Sequence, residues 1–310
     1  MSGDSALSGR SSPSGRQVEI GDGTTSAVVT EVGGGLRALS SGGIEVLDGY
    51  ASDQVCSGGR GQVLIPWPNR LEDGRYEYGG ATPSAALDEP DARNAIHGLV
   101  RWLRWTVDSP SPDRAVAACS LAPQPGYPWG IEVSVTYSVG GGSLLTVDVA
   151  VSNTGEVAGR APLGVGFHPY LHAGDGGVDR ARLTVPAATR LLADERGIPR
   201  AAVPVGGTGH DLRRGLTIGS LRLDDCFTDL PADWSVELER ADGLLVELWT
   251  EGEWPYVMCY TGDTLPGSER RRGLAVEPMT CPPNALRTGE SLVELDPGQS
   301  WGARWGIRGR

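Results

Sequence analysis

The chain contains no lysine; all 27 of its basic residues are arginine. Against 39 Asp and Glu they leave a formal net charge of -12. Such a surface repels phosphate backbones and anionic leaflets, which argues against a nucleic-acid or membrane partner. The one basic run, Arg270 to Arg272, reads either as a solvated loop or as a contact to an anionic group on a substrate. Cysteine is scarce. Cys56, Cys119, Cys226, Cys259 and Cys281 are odd in number and include no Cys-x-x-Cys pair, so neither a disulfide framework nor a structural zinc site is expected, and they read as reduced, mostly buried thiols. No run of about 18 apolar residues occurs, and Met1 to Gly15 is Ser/Gly-rich without the apolar stretch of a secretory signal. The expectation is a flexible tail over 1–15 on a cytoplasmic protein. Helical periodicity is rare, strand-helix-strand alternation is missing, and no repeat of 20 to 50 residues stands out, which disfavours parallel α/β sheets, solenoids and propellers.

What the chain has is glycine, proline and alternation. The 46 glycines and 22 prolines together reach nearly twice their average share of about 12%. They are interleaved with apolar runs, a profile of many turns joining short strands. In Ile131 to Val139 apolar and polar residues alternate, Gly140-Gly141-Gly142 turns the chain, and Leu144 to Val151 alternates again, a hairpin with half-buried strands. Val236 to Arg240 and Leu244 to Thr250 flank Asp242-Gly243, a strong hairpin signal because both turn positions favour φ > 0. Asp73-Gly74 is a weaker third case. The fold class is therefore all-β, with large antiparallel sheets packed face to face, and residues 16–310 are expected to form one domain rather than two.

Histidines and carboxylates mark the candidate chemistry. Of four histidines, His97 lies in Asn94-Ala95-Ile96-His97-Gly98 and His168 in Gly164-Val165-Gly166-Phe167-His168-Pro169-Tyr170, where glycine or proline lifts an imidazole out of regular pairing. Glu277 follows an apolar strand and precedes Pro278. A carboxylate among apolar neighbours has a raised pKa, which suits a base working near neutrality. Asp224 and Asp225 are adjacent, so in a strand only one faces a given cleft; Asp225 reads as a sugar-hydroxyl acceptor or as a turn residue. Ile65-Pro66-Trp67-Pro68-Asn69-Arg70 combines a rigid rim, a flat apolar face on Trp67, and donors on Asn69 and Arg70, a set suited to a polyol.

In chain order, P-N-R at 68–70, N-x-x-H-G at 94–98, G-F-H-P-Y at 166–170, D-D-C-F at 224–227 and A-V-E-P-M-T at 275–280 followed by Asn284 make the sequence resemble the aldose 1-epimerase (mutarotase) family from about Gly15 to the C-terminus. The G-F-H-P-Y and I-P-W-P-N-R forms look more like a bacterial branch than like the best-known galactose mutarotases. The resemblance implies a galactose mutarotase-like β-supersandwich that interconverts the α and β anomers of a free hexose. It implies Glu277 as general base on the anomeric hydroxyl and His168 as general acid on the ring oxygen. His97 and Arg70 would hold the ring-oxygen region, with Asn69 beside them, and Asp225 would bind hydroxyls on the far side; residue type adds Trp67 or Phe167 as a stacking face. No cofactor and no metal are expected, since mutarotation moves only protons and breaks a hemiacetal bond; His168 with His172, at i and i+4, is the one competing metal pair. The partner is a small monosaccharide, acted on by a monomer or homodimer. Alternatives are an epimerase of a phosphorylated or sulfonated sugar, a glycoside hydrolase using Asp225 and Glu277, and a non-catalytic sugar-binding β-sandwich.

Overall fold

Alternation builds the larger of two main sheets. In a computed structural model that describes residues 12–157 and 159–310, every second residue from Ile131 to Val139 is buried. Ser143–Asn153 repeats the pattern and pairs antiparallel with it, Val135 opposite Val149. The turn between them takes left-handed φ at Gly140, Gly141 and Gly142, a region open to glycine and strained for other residues. These strands sit within a nine-stranded sheet in the order Leu216–Thr217, Arg182–Thr184, Ser235–Glu239, Leu245–Glu251, Ser300–Gly309, Ser143–Asn153, Ile131–Gly140, Arg114–Leu121, Thr106–Ser111.

A second sheet has shorter, more interrupted strands, in the order Pro199–Pro204, Thr189–Ala193, Asp224–Thr228, Tyr256–Tyr260, Gly273–Met279, Gly166–Phe167, Val63–Leu64, with Tyr170–His172 also paired to Gly273–Met279. One apolar cluster is shared by both sheets, with Val133, Val149 and Trp305 from the first and Phe167, Val257 and Val276 from the second. The Phe167 and Trp305 rings meet at 5.2 Å between centroids. A four-stranded meander from Gln17–Gly21 to Ile44–Glu45 adds Ile20, Val29 and Leu39 to the same core. The only α-helix among the described residues is the four-residue Ala285–Thr288.

The turns differ in detail from expectation. At Asp242-Gly243 the loop is longer: Glu239 pairs with Leu245, the Gly243 N–H donates to the Arg240 carbonyl at 3.0 Å, and Gly243 has positive φ while Asp242 does not. Asp73 and Gly74 do both take positive φ, yet the strand before them, Arg70–Glu72, pairs with Asn94–Ile96 rather than with the residues that follow. Within the expected tail, Ser14 is buried and its carbonyl accepts the Val32 N–H at 2.9 Å; residues 1–11 lie outside the described residues. The arginine run is a brace: Arg271 bonds Asp179 at 2.6 Å and Asp263 at 2.9 Å, and Arg272 pairs with Asp48.

Candidate active site

The outer face of the second sheet carries the site. In Gly273–Met279, Leu274 and Val276 belong to the shared core, while Glu277 and Met279 project to the opposite face. Glu277 pairs in register with Met258, and Asp224 with Tyr260. The His168 segment runs antiparallel to the same strand but is interrupted. Gly166 pairs with Met279 and Tyr170 with Ala275, whereas at His168 the backbone turns to other partners, its N–H donating to Gln62 at 3.1 Å and its carbonyl accepting from Gly61 at 2.8 Å. Pro169, which cannot donate, follows this break.

The result is a cavity of about 280 Å³ lined by His97, His168, Glu277, Asn69, Arg70 and Asp224, with Arg101, Trp102, Tyr170 and Tyr260 completing its wall. His168 Nε2 lies 3.4 Å from Glu277 Oε1, and both side chains are buried. His168 Nδ1 and Glu277 Oε2, also buried, have no hydrogen-bond partner among the described residues. Burial is the main cause of both pKa shifts. It pushes the His168 imidazole down to about 3, helped by the positive charges of Arg101 and Arg60, and it drives the Glu277 carboxyl well above the usual carboxylate range, helped by Asp224 and opposed by Arg70. Burial thus favours the uncharged form of each group. The ion pair and the neutral pair differ by a single transfer across 3.4 Å.

The neighbouring loop orients the second histidine. His97 and Gly98 both have left-handed φ, and a Cβ at Gly98 would lie 2.2 Å from the Ile65 carbonyl oxygen, so only glycine fits there. The His97 N–H donates to Asn69 at 2.9 Å and the Asn69 N–H donates back to His97 Nδ1 at 3.2 Å. With Nδ1 accepting, the proton of the neutral imidazole belongs on Nε2, which makes His97 a hydrogen-bond donor. Burial, followed by the charge of a protonated His168, holds its pKa well below the normal histidine value. Arg70 is gripped by Glu89 through two bonds of 3.0 and 3.2 Å and lies 3.7 Å from Asp224.

Two expected site residues fall elsewhere. Asp225 faces away from the cavity and is held by Arg190 at 2.9 Å, with His210 at 3.9 Å; strand alternation brings Asp224 to the site instead. Trp67 is buried in the shared core, as is Phe167, so neither offers a face to a ligand; Trp102, half exposed, Tyr170 and Tyr260 are the Trp and Tyr residues at the cavity. Sequence reasoning noted Arg101 only as a possible contact to an anionic sugar and passed over Trp102, Tyr170 and Tyr260 as site residues. A usable signal existed for Tyr170, which stands two residues after His168. His172 ends a strand rather than sitting on a helix with His168; its Nδ1 accepts the Gly174 N–H at 3.1 Å.

The architecture is that of the galactose mutarotase-like proteins. A GalM/aldose epimerase homologue from C. elegans superposes with a TM-score of 0.84 over 95% of this chain and 98% of its own at 17% identity. A galactose mutarotase-like protein from Clostridium acetobutylicum gives 0.79 over 93% of each chain at 19% identity. The chain belongs to the aldose 1-epimerase family, whose model matches residues 16–308. Among relatives, the uncharacterized protein YihR of Escherichia coli (strain K12) is 32% identical over 92% of this chain and 91% of its own length. Human galactose mutarotase is 27% identical over 76% and 71%.

Proposed function

We propose that this protein is a mutarotase that interconverts the α and β anomers of a free hexose. The observation that carries the reading is the approach of His168 Nε2 to Glu277 Oε1 at 3.4 Å, two buried side chains that line one cavity. The anomeric hydroxyl and the ring oxygen are bonded to the same carbon, so an acid and a base that serve them must stand side by side. A cavity of about 280 Å³ also lies just below the roughly 300–1,000 Å³ of sites for drug-sized ligands, a size suited to one sugar ring.

In this mechanism the pair reacts in its ion-pair form, reached by one proton transfer from Glu277 to His168: the Glu277 carboxylate takes the proton of the anomeric hydroxyl, the bond from C1 to the ring oxygen breaks, and the His168 imidazolium protonates that oxygen. The open-chain aldehyde now faces a neutral imidazole and a protonated carboxyl. Rotation about the C1–C2 bond turns the other carbonyl face toward the ring-closing hydroxyl. His168 then takes that proton back, Glu277 returns its own, and the pair ends as it began. His97, as a neutral Nε2 donor, and the Arg70 guanidinium bind oxygens of the sugar, Asp224 accepts from hydroxyls at the mouth, and Trp102 offers an apolar face to ring C–H groups. The proton distribution favoured by burial, with Glu277 protonated and His168 neutral, is the one this scheme requires around the open-chain sugar.

Polarimetry on freshly dissolved α-glucose and α-galactose, paired with an aryl glycoside assay, tests the proposal. Accelerated anomer exchange without phenol release is the expected result. Phenol release would instead make the pair of acids Asp224 and Glu277 those of a hydrolase. The pH profile is bell-shaped: activity falls as pH rises through the elevated pKa of Glu277, when the pair loses its one proton, and falls again as acid adds a second proton near the depressed pKa of His168, about 3.

A further inference from the structure

Behind His168 lies a buried assembly that the proton transfers themselves do not use. The Tyr170 ring stacks on the His168 imidazole with centroids 5.1 Å apart and planes 9° from parallel. The Arg60 guanidinium sits over the same Tyr170 ring at 4.7 Å. Arg60 is itself fully buried, does not line the cavity, and is fastened by Asp48 at 3.2 Å and Glu269 at 3.0 Å. The Tyr170 hydroxyl donates to the Gly58 carbonyl at 2.8 Å, so it is already engaged. At the edge of the imidazole, a Cβ on Gly59 would come within 2.7 Å of His168 Cδ2, which means that bare backbone lies against the ring. His97 closes another side at 5.2 Å, edge to face.

We propose that Tyr170, anchored by Arg60, is a positioning residue that holds the His168 imidazole in the plane from which Nε2 meets Glu277 and the ring oxygen. His168 Nδ1 has no hydrogen-bond partner among the described residues, so packing sets the torsion of the ring, and the Tyr170 stack is the contact that lies flat on its face. In most histidine acid-base sites a bond to the second nitrogen sets the orientation; here aromatic packing does so. The stack also keeps water from one face of the ring, which maintains its neutral form. The charged and titratable groups around His168 are Glu277 on its paired strand, His97 and Arg101 on the 97–101 loop, Tyr170 on its own segment and Arg60 on the 56–62 loop, with Arg70 and Asp224 across the cavity.

The kinetic half of the inference rests on the mutarotase reading; the titration half does not. Tyr170→Leu is expected to lower kcat on α-galactose about 10²-fold, the size of a small misplacement of a reacting group, while KM stays within about twofold. Tyr170→Phe keeps the stack and should rescue kcat to within about threefold of the native protein. In the ligand-free protein, histidine NMR is expected to show His168 untitrated from about pH 5 to 8 in the native chain and in Tyr170→Phe, and titrating inside that window in Tyr170→Leu. Should Tyr170→Leu not fold, Arg60→Lys serves in its place: it keeps a charge for Asp48 and Glu269 but loses the flat guanidinium face, and should lower kcat about tenfold at unchanged KM. Unchanged kcat and an unchanged His168 titration in Tyr170→Leu, or in Arg60→Lys where it is the variant used, would overturn the proposal. So would a large rise in KM in Tyr170→Phe, which would make the hydroxyl a sugar ligand. Absence of activity in the native protein on every hexose would instead sink the mutarotase reading and leave the titration to decide the role of Tyr170.

Discussion

The two main sheets obey the same pairing rules and do different work. The nine-stranded sheet is long and regular, with a buried face of mainly Val, Ile, Leu and Tyr that alternates along Ile131–Gly140 and Ser143–Asn153. The eight-stranded sheet is short-stranded and interrupted, and its Gly273–Met279 strand is buried throughout, because one face supports the core while the other carries the site. Regularity serves packing, where any residue of suitable volume is accepted. Interruption serves chemistry: a break at His168 and Pro169, and left-handed φ at Asn69 and His97, aim polar groups where regular pairing would not.

The largest break in that comparison comes from the site face. Glu277→Gln or His168→Asn should slow anomer exchange by about 10² to 10⁴-fold, with the fold intact by circular dichroism and sugar binding still detectable by calorimetry. One residue away from His168, on the core face, the effect has the opposite character. Phe167→Ala leaves an unfilled space beside Trp305 and Trp254 and should cost about 3–5 kcal/mol in denaturant unfolding, a large fraction of the about 5–15 kcal/mol of an ordinary domain.

Asp224 and Asp225 sharpen the contrast, since they differ by one step along one strand. Asp224→Asn should raise KM for the hexose about tenfold, the usual worth of one hydrogen bond to a charged group. Asp225→Asn should leave kcat/KM within about twofold and cost about 1 kcal/mol through its partly buried pair with Arg190, read as a lower melting temperature. The reverse ranking would mean that the strand's faces are exchanged. The smallest effect is expected at the rim, where Trp102→Ala should raise KM about threefold with kcat unchanged, the worth of one aromatic contact.

Much of this was legible in advance because period-two patterns and glycine turns are local. The Ile131 to Val151 hairpin needed only neighbouring residues, and the loops at His97 and His168 advertised themselves through glycine and proline. Where the reading failed, the missing information was long-range. Trp67 looks like a binding platform beside Asn69 and Arg70, but residues far away in sequence close over it and make it core. The Arg270 to Arg272 run reads as a solvated loop or an anion contact, yet Asp179 and Asp263 pair with Arg271 and Asp48 pairs with Arg272.

By itself, the order of residues determined an all-β chain with many turns, its strand alternation and the motif segments that carry candidate acids and bases, because each depends on side chains a few positions apart. Only the tertiary structure decided which side of each strand faces the cavity, and so which of two adjacent aspartates and which aromatic rings belong to the site. It also decided that His168 and Glu277 meet at 3.4 Å in surroundings that favour the uncharged form of each. Burial and the charges of Arg60, Arg70, Arg101 and Asp224 set that balance, and those groups are brought together from separate parts of the chain only when the second sheet is assembled.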